Sequence, residues 1–222
     1  MNPRTRLVDV SHTVEHGMVT YKGLPAPVVC DWLSREDARA KYDGDEFQIG
    51  KIEMVANTGT YIDSPFHRYQ NGKDLSELPL ESVAELECLV VRVDLRNGVG
   101  VDSVPLSAQE VRGRAVLFHT GWDRHWRTDA YFEGHPHLTE RAADWLASAG
   151  AALVGIDSMN IDSIATGKRP VHTVLLGRGI PIVEHLRGLA DVPETGSRFS
   201  AVPVKVKGCG TFPVRAFVSV QG

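Results

Sequence analysis

Two stretches of the chain carry side chains that could do chemistry together. The first is NTGTYIDSPFH, residues 57–67, where Asp63 stands four positions before His67 with Pro65 between them. A carboxylate and an imidazole offered to one point make an acid/base pair, or part of a site for a hard-to-borderline metal ion. The second is VHTVLLGRGIPIVEHL, residues 171–186, which supplies His172 and Glu184. One helical turn over HTVLL, a turn at GRG and a returning strand IPIVE would bring these two residues, twelve apart, back together. Glu184 closes an apolar strand, an odd place for a merely solvated acid. The plainer reading of the pair is a capping histidine and a surface glutamate.

These residues need elements to hold them. Pro65 removes a backbone donor, so the chain must leave its sheet near that point. Gly59 permits a positive φ or a close backbone approach just before. On a straight strand Tyr61 and Asp63 share a face at roughly 7 Å spacing. FQIGKIEMV reads as the strand that leads into the motif. Other strand-like runs are RLVDVSH, ECLVVRVDL, RAVLFHT, AALVGID, SAVPVKV and VRAFVSV, rich in Val, Ile and Phe and bounded by Gly, Pro or Asp. VVRV and ALVGI are continuous rather than alternating, as strands buried on both faces are. One helix is clear, with Thr139 as its cap, Gly150 as its end and an apolar stripe of Leu138, Ala142, Trp145 and Leu146. A short helix follows Ser107, and KDLSELPLESV reads as one or two turns with a Pro break. The expected fold is α/β, sheet-rich with few helices. Without repeats or linkers, residues 1–222 read as one domain.

Composition narrows the function. A net charge of −4 argues against nucleic acid or an anionic membrane as the main partner, and the longest apolar runs are too short to span a bilayer. The N-terminus lacks an apolar leader, so a cytoplasmic protein is expected. Three widely spaced cysteines, Cys30, Cys88 and Cys209, suggest neither a disulfide framework nor a cysteine zinc site. Among the nine histidines, His12, His16, His125, His135, His137 and His185 sit in polar or turn contexts and read as structural or solvated. His67, His119 and His172 end apolar segments, where α/β folds place chemistry.

The sequence resembles the cyclase family that includes bacterial kynurenine formamidase and isatin hydrolase. The family motif H-x-G-T-H-x-D-x-P-x-H becomes NTGTYIDSPFH here, and LVDVSHTVEHGMVTYKGLP, HTGWD, VGIDSMNID and HTVLLGRGIPIVEHLRGL extend the likeness over most of the length. The resemblance implies the family's swivelling β/β/α domain and a homo-oligomer, dimer or tetramer. It also implies hydrolysis or ring closure at a small-molecule carbonyl with one or two divalent metals. Carried over residue by residue, Asp63, His172 and Glu184 would be metal ligands and His67 the general acid/base. Two motif histidines are replaced, by Asn57 and Tyr61. Asn is a weak ligand for hard ions and neutral Tyr a poor one for zinc, which leaves one site suited to Zn²⁺ or Mn²⁺. Tyr21 stands where the family has an aromatic substrate contact, usually Trp.

The leading expectation is therefore a metal-dependent hydrolase or cyclase acting on an amide, lactam or lactone. His67 would move the proton, Tyr61 would donate to the developing oxyanion, and Tyr21, Asn57 and His119 would contact substrate. His119 could instead replace a missing imidazole or pack against Trp122. Two alternatives remain: a metal-free general-base enzyme using His67, and a non-catalytic small-molecule binder. Asp157 and Asp162 are expected to fix their loop.

Overall fold

The structure, a computed structural model, describes residues 5–221. Its elements run β1 (Arg6–Asp9), β2 (Val28–Leu33), α1 (Arg35–Lys41), β3 (Ile49–Glu53), β4 (Tyr61–Asp63), β5 (Leu86–Arg92), β6 (Gly100–Val101), α2 (Ala108–Val111), β7 (Ala115–His119), β8 (His137–Leu138), α3 (Glu140–Ala149), β9 (Leu153–Ile156), α4 (Pro170–Gly177), β10 (Ile182–Glu184), β11 (Ser197–Ser200), β12 (Thr211–Pro213) and β13 (Phe217–Val220). Nine strands form one sheet in the order β1-β13-β11-β5-β7-β9-β10-β4-β12. The centre, β5-β7-β9-β10, is parallel, and antiparallel strands extend it on both sides. This is the sheet-rich α/β architecture expected, with four α-helices among the described residues. None of those helices is long and apolar enough to cross a membrane.

The central strands are apolar on both faces because both faces are covered. Cys88, Val90, Ala115, Leu117 and Leu153 join one core cluster, together with Ile62 and Val183. Their neighbours Leu89, Val91, Val116, Phe118 and Val154 join the other, under α3 and α4. Alternate side chains along one strand therefore serve opposite cores. The α3 helix begins and ends as its sequence dictates: the Thr139 hydroxyl accepts from the Ala142 N–H, and Gly150 adopts the left-handed conformation. Ser107 and Glu110 form a reciprocal capping box on α2.

Two strand expectations fail. The main strand near SAVPVKV is β11, which ends at Ser200; the Val202 and Val204 that suggested alternation are 44% and 59% exposed, and Pro203 cannot donate to a ladder. More consequentially, the strand before the motif does not lead into the main sheet. β3 pairs only with β2, an unanticipated strand, in a separate two-stranded hairpin. The motif residues form their own short strand, β4, inserted between β10 and β12.

After β4 the chain turns out of the sheet at Pro65 into a short 3₁₀ turn, Pro65–His67. Gly210 makes that turn possible. Its carbonyl accepts from the Ser64 N–H at 2.7 Å, and a Cβ at this position would lie 2.4 Å from the His67 nitrogen. Backbone cannot yield as a side-chain tip can. Gly210→Ala is expected to destabilise the fold by about 2 kcal/mol, read as a lower urea midpoint at unchanged slope.

Candidate functional site

The sheet register assembles most of the site on one face. In β4, Asp63 is opposite both Ile182 of β10 and Thr211 of β12, and Tyr61 is opposite Glu184. Directly opposed residues share a face, as do Tyr61 and Asp63 two apart. Tyr61, Asp63, Glu184 and Thr211 thus project together, on the side where Ile182 meets the helices. The α4 helix adds His172 from its first turn.

His172 is oriented by Asp162. One Asp162 carboxylate accepts the Val171 N–H at 2.8 Å, the His172 N–H at 3.0 Å and His172 Nδ1 at 2.6 Å. It caps the helix and fixes the ring at once. The other ring nitrogen, Nε2, then faces Asp63 Oδ2 at 3.5 Å and Glu184 Oε1 at 3.7 Å. Burial opposes a charge on this imidazole, but the Asp162 and Asp63 contacts and the Glu184 charge outweigh it and hold its pKa up to about 10.

Asp63 is fully buried, and its Oδ2 has no hydrogen-bond partner. Its Oδ1 accepts from the Thr211 hydroxyl, whose oxygen also meets His67 Nδ1 at 2.8 Å. An ionised carboxylate only accepts, so the single Thr211 proton is committed to Asp63. His67 Nδ1 must therefore donate to Thr211, leaving Nε2 as the free basic nitrogen. The His67 side chain is 35% exposed.

Glu184 is fully buried with both oxygens engaged: Oε2 accepts from the Tyr61 hydroxyl at 2.5 Å and Oε1 from the Ile161 N–H at 2.6 Å. Burial pushes its pKa up to about 7, against the opposing pull of His172. The Tyr21 hydroxyl extends this network, at 2.9 Å from Tyr61, 2.7 Å from the Met159 carbonyl and 2.9 Å from the Asn160 amide. Burial and the Glu184 charge push both phenols up, so both stay neutral donors.

A cavity of about 240 Å³ opens over these groups, lined by Tyr21, Asn57, Tyr61, His67, His172 and Glu184 among others. A larger one, about 500 Å³, is lined by Glu87, Arg114 and Arg198 and lacks the ligating cluster. Seven of the eight residues singled out from sequence thus meet at the site. His119 does not line the cavity. It ends β7, two strands from β10, with Nδ1 3.0 Å from Arg92 and Nε2 3.9 Å from Asp157. Asp157 does fix its loop, accepting from the Thr120 and Gly121 N–H groups. Thr211 was not anticipated, and Asp162 does more than fix a loop.

The donor set fits a metal ion. Asp63, His67 and His172 each offer an atom within 4.8 Å of the others. Ligands about 2.1 Å from a tetrahedral ion stand ~3.4 Å apart, close to the 3.5 Å and 3.7 Å that separate His172 Nε2 from Asp63 and Glu184. The unpartnered Asp63 Oδ2 is the atom such an ion would satisfy.

A family model described as "Putative cyclase" matches residues 8–163. The kynurenine formamidase of Salinibacter ruber is 29% identical over 217 residues, covering 95% of each chain. That of Bacillus cereus is 26% identical over 212 residues, covering 95% of this chain and 96% of the other. Among solved structures, isatin hydrolase A from Labrenzia aggregata shares the fold at a TM-score of 0.80 and 21% identity, over 98% of this chain and 94% of that one. A protein from Bacillus stearothermophilus described as a predicted metal-dependent hydrolase superposes at 0.73 with 27% identity, over 98% of this chain and all of the other. The chain belongs to the cyclase family.

The His172 contacts have a consequence for the stability of protein kept free of metal by a chelator. The folded chain keeps this proton to about pH 10, whereas the unfolded chain releases it near 6.5. The folded state binds the extra proton between those values, so the stabilisation is full below about 6.5 and is lost as pH rises through about 10. Glu184 acts in the same direction between 4.5 and about 7. The thermal midpoint of chelated protein should therefore fall from pH 6.5 to pH 10, and His172→Gln should flatten that slope.

Proposed function

We propose that this member of the cyclase family hydrolyses the C–N bond of a small amide or lactam, with lactones as the neighbouring class. The observation that carries this reading is the buried, unpartnered Asp63 Oδ2 facing His172 Nε2, beside a basic His67 nitrogen at the wall of a cavity. The formamidase relatives and the hydrolase described above support the same class of chemistry.

Asp63, His172 and Glu184 would hold one divalent cation, Zn²⁺ or Mn²⁺. Such an ion, when bound, polarises a carbonyl and acidifies water. The chain's own groups do the rest. His67 takes the proton of the attacking water at Nε2, the nitrogen that the Thr211 contact leaves free, and returns it to the leaving nitrogen. Asp63 holds the Thr211–His67 pair in place through Oδ1. Tyr61 has its proton committed to Glu184, so its part is to fix that carboxylate rather than to meet an oxyanion. Asn57 and the partly exposed Tyr21 ring line the space left for substrate.

A second reading makes His67 the third ligand, favoured by the compact Asp63–His67–His172 group. One variant separates the two. In His67→Ala, metal content at the wild-type level with turnover down by at least ~100-fold supports the proton-carrier role, and loss of metal supports the ligand role. Full activity in that variant, or wild-type turnover after exhaustive chelation, would remove the metal-and-histidine mechanism.

We also propose that copies of the chain pair through the β2–β3 hairpin. Every residue of β3 and all of β2 except Leu33 are exposed, so neither face of the hairpin is covered. Trp32 is 75% and Ile52 60% exposed, beside Val28, Val29, Ile49 and Phe47. Their exposed apolar area is on the order of 600 Å², against about 800 Å² per partner in a standard interface. An isolated two-stranded hairpin is marginal in water, and its open edges invite a symmetric partner. Sedimentation should show a dimer or larger assembly, dissociated by Trp32→Glu with Ile52→Glu. A monomeric wild type would end this proposal.

A further inference from the structure

Two cationic side chains in the cavity wall have no part in the chemistry above. Arg68 follows His67 directly, and Arg169 immediately precedes α4; both line the cavity over His172. Arg68 is exposed and Arg169 half-buried, and neither forms an ion pair with any carboxylate among the described residues, whereas many other arginines here do.

Their placement is built rather than incidental. Arg68 Nε donates to the Thr173 hydroxyl at 3.2 Å, and that hydroxyl donates to the Arg169 carbonyl at 2.7 Å. One threonine thus ties the two arginine segments together beside His172. The Arg169 Nη1 group donates to the Ser163, Thr166 and Lys168 carbonyls at 3.3, 2.8 and 2.8 Å. It holds the loop before α4, and its other N–H groups have no protein acceptor among the described residues. Arg68 keeps both terminal nitrogens free in the same sense. Two half-anchored guanidiniums in the wall of a small polar cavity match one chemistry well: the planar, bidentate recognition of a carboxylate.

Resting on the hydrolase reading of this site, we propose that Arg68 and Arg169 form a carboxylate-binding subsite, and that the substrate is a small acid. Its carboxylate lies against the two guanidiniums while its amide carbonyl lies over Asp63, His67 and His172. Asn57, which has no side-chain partner among the described residues, lines the same space as a further polar contact. Arg68 and Arg169 are the only lysine or arginine side chains lining the cavity among the described residues, so they also fix which way round the substrate sits.

The test uses metal-loaded protein and two matched pairs of probes. Benzoate and benzamide report binding by calorimetry, and 2-formamidobenzoate and formanilide report turnover. The acid of each pair is expected to be favoured at least tenfold, with the preference shrinking as salt is raised. Arg68→Gln and Arg169→Gln should each lower affinity and kcat/KM for the acid about tenfold and change the neutral partner less than threefold. Equal affinity for benzoate and benzamide overturns the proposal. So does a preference that survives both substitutions, since the carboxylate would then be bound by the metal. Because Arg169 also holds its loop, Arg68→Gln decides the matter if Arg169→Gln fails to fold. A benzoate preference that Arg68→Gln abolishes, with neither formamide hydrolysed, upholds the subsite and counts against the hydrolase reading alone.

Discussion

Three fully buried carboxylates surround one imidazole, and most of what is distinctive in this molecule follows from how their charge is met. Buried anions persist only when paired or hydrogen-bonded, because desolvation otherwise costs several kcal/mol each. Asp162 spends its charge on the first turn of α4 and on His172 Nδ1. Glu184 is met by a phenol and a backbone N–H. Asp63 is met on one oxygen only. Two unit charges 3.5 Å apart attract by about 5 kcal/mol at an effective dielectric of 20, so the His172 imidazolium offsets much of the remaining field. It cannot offset all of it. His172 Nε2 can hold either its proton or a metal ion, so a divalent cation held there would replace the proton and bring the larger charge.

The sheet is what makes such a concentration of charge possible. β4 is only three residues long, yet it is hydrogen-bonded on both sides, by β10 and β12. Its register sets Asp63 against Thr211 and Tyr61 against Glu184. A slip of β4 by one residue would turn Tyr61 and Asp63 toward the opposite core, where Ile62 and Val183 now pack, and away from Glu184 and Thr211. The apolar alternation of β4 and β10 therefore holds the polar constellation in place. The same hydrophobic faces that bury the carboxylates prevent them from moving apart.

Much of this was legible in the sequence, and the limits are physical. Asp63, His67, His172 and Glu184 stood out because an acid or imidazole at the end of an apolar run is costly unless used. The turn after Asp63 followed from Pro65, and the ends of α3 from Thr139 and Gly150. Thr211 gave no signal, because its partners lie 148 and 144 positions away and a threonine at a strand start is unremarkable. The β2–β3 hairpin was missed as well. FQIGKIEMV reads as a strand, but its partner β2 does not stand out, and the exposure of Val28, Val29, Trp32 and Ile52 has no mark in the sequence. His119 ended a strand as expected, but the order of parallel strands puts β7 beside β9 rather than β10, and Arg92 takes up its ring.

The replaced motif positions show how one substitution can redirect a site without emptying it. A histidine at 61 would offer an imidazole opposite Glu184; the tyrosine there offers a hydroxyl at 2.5 Å instead. That hydroxyl cannot compete as a ligand while it remains protonated, and burial together with the Glu184 charge keeps it so. It holds Glu184 in one orientation and recruits Tyr21, which in turn reaches Met159 and Asn160. The corner where a second cation would need donors is filled by a neutral hydrogen-bonded cluster. On the one-cation reading proposed above, that cation and a rigid polar wall would carry less positive charge to hold an anionic substrate than two cations would. Arg68 and Arg169, in the same wall, are placed where that missing charge would be felt.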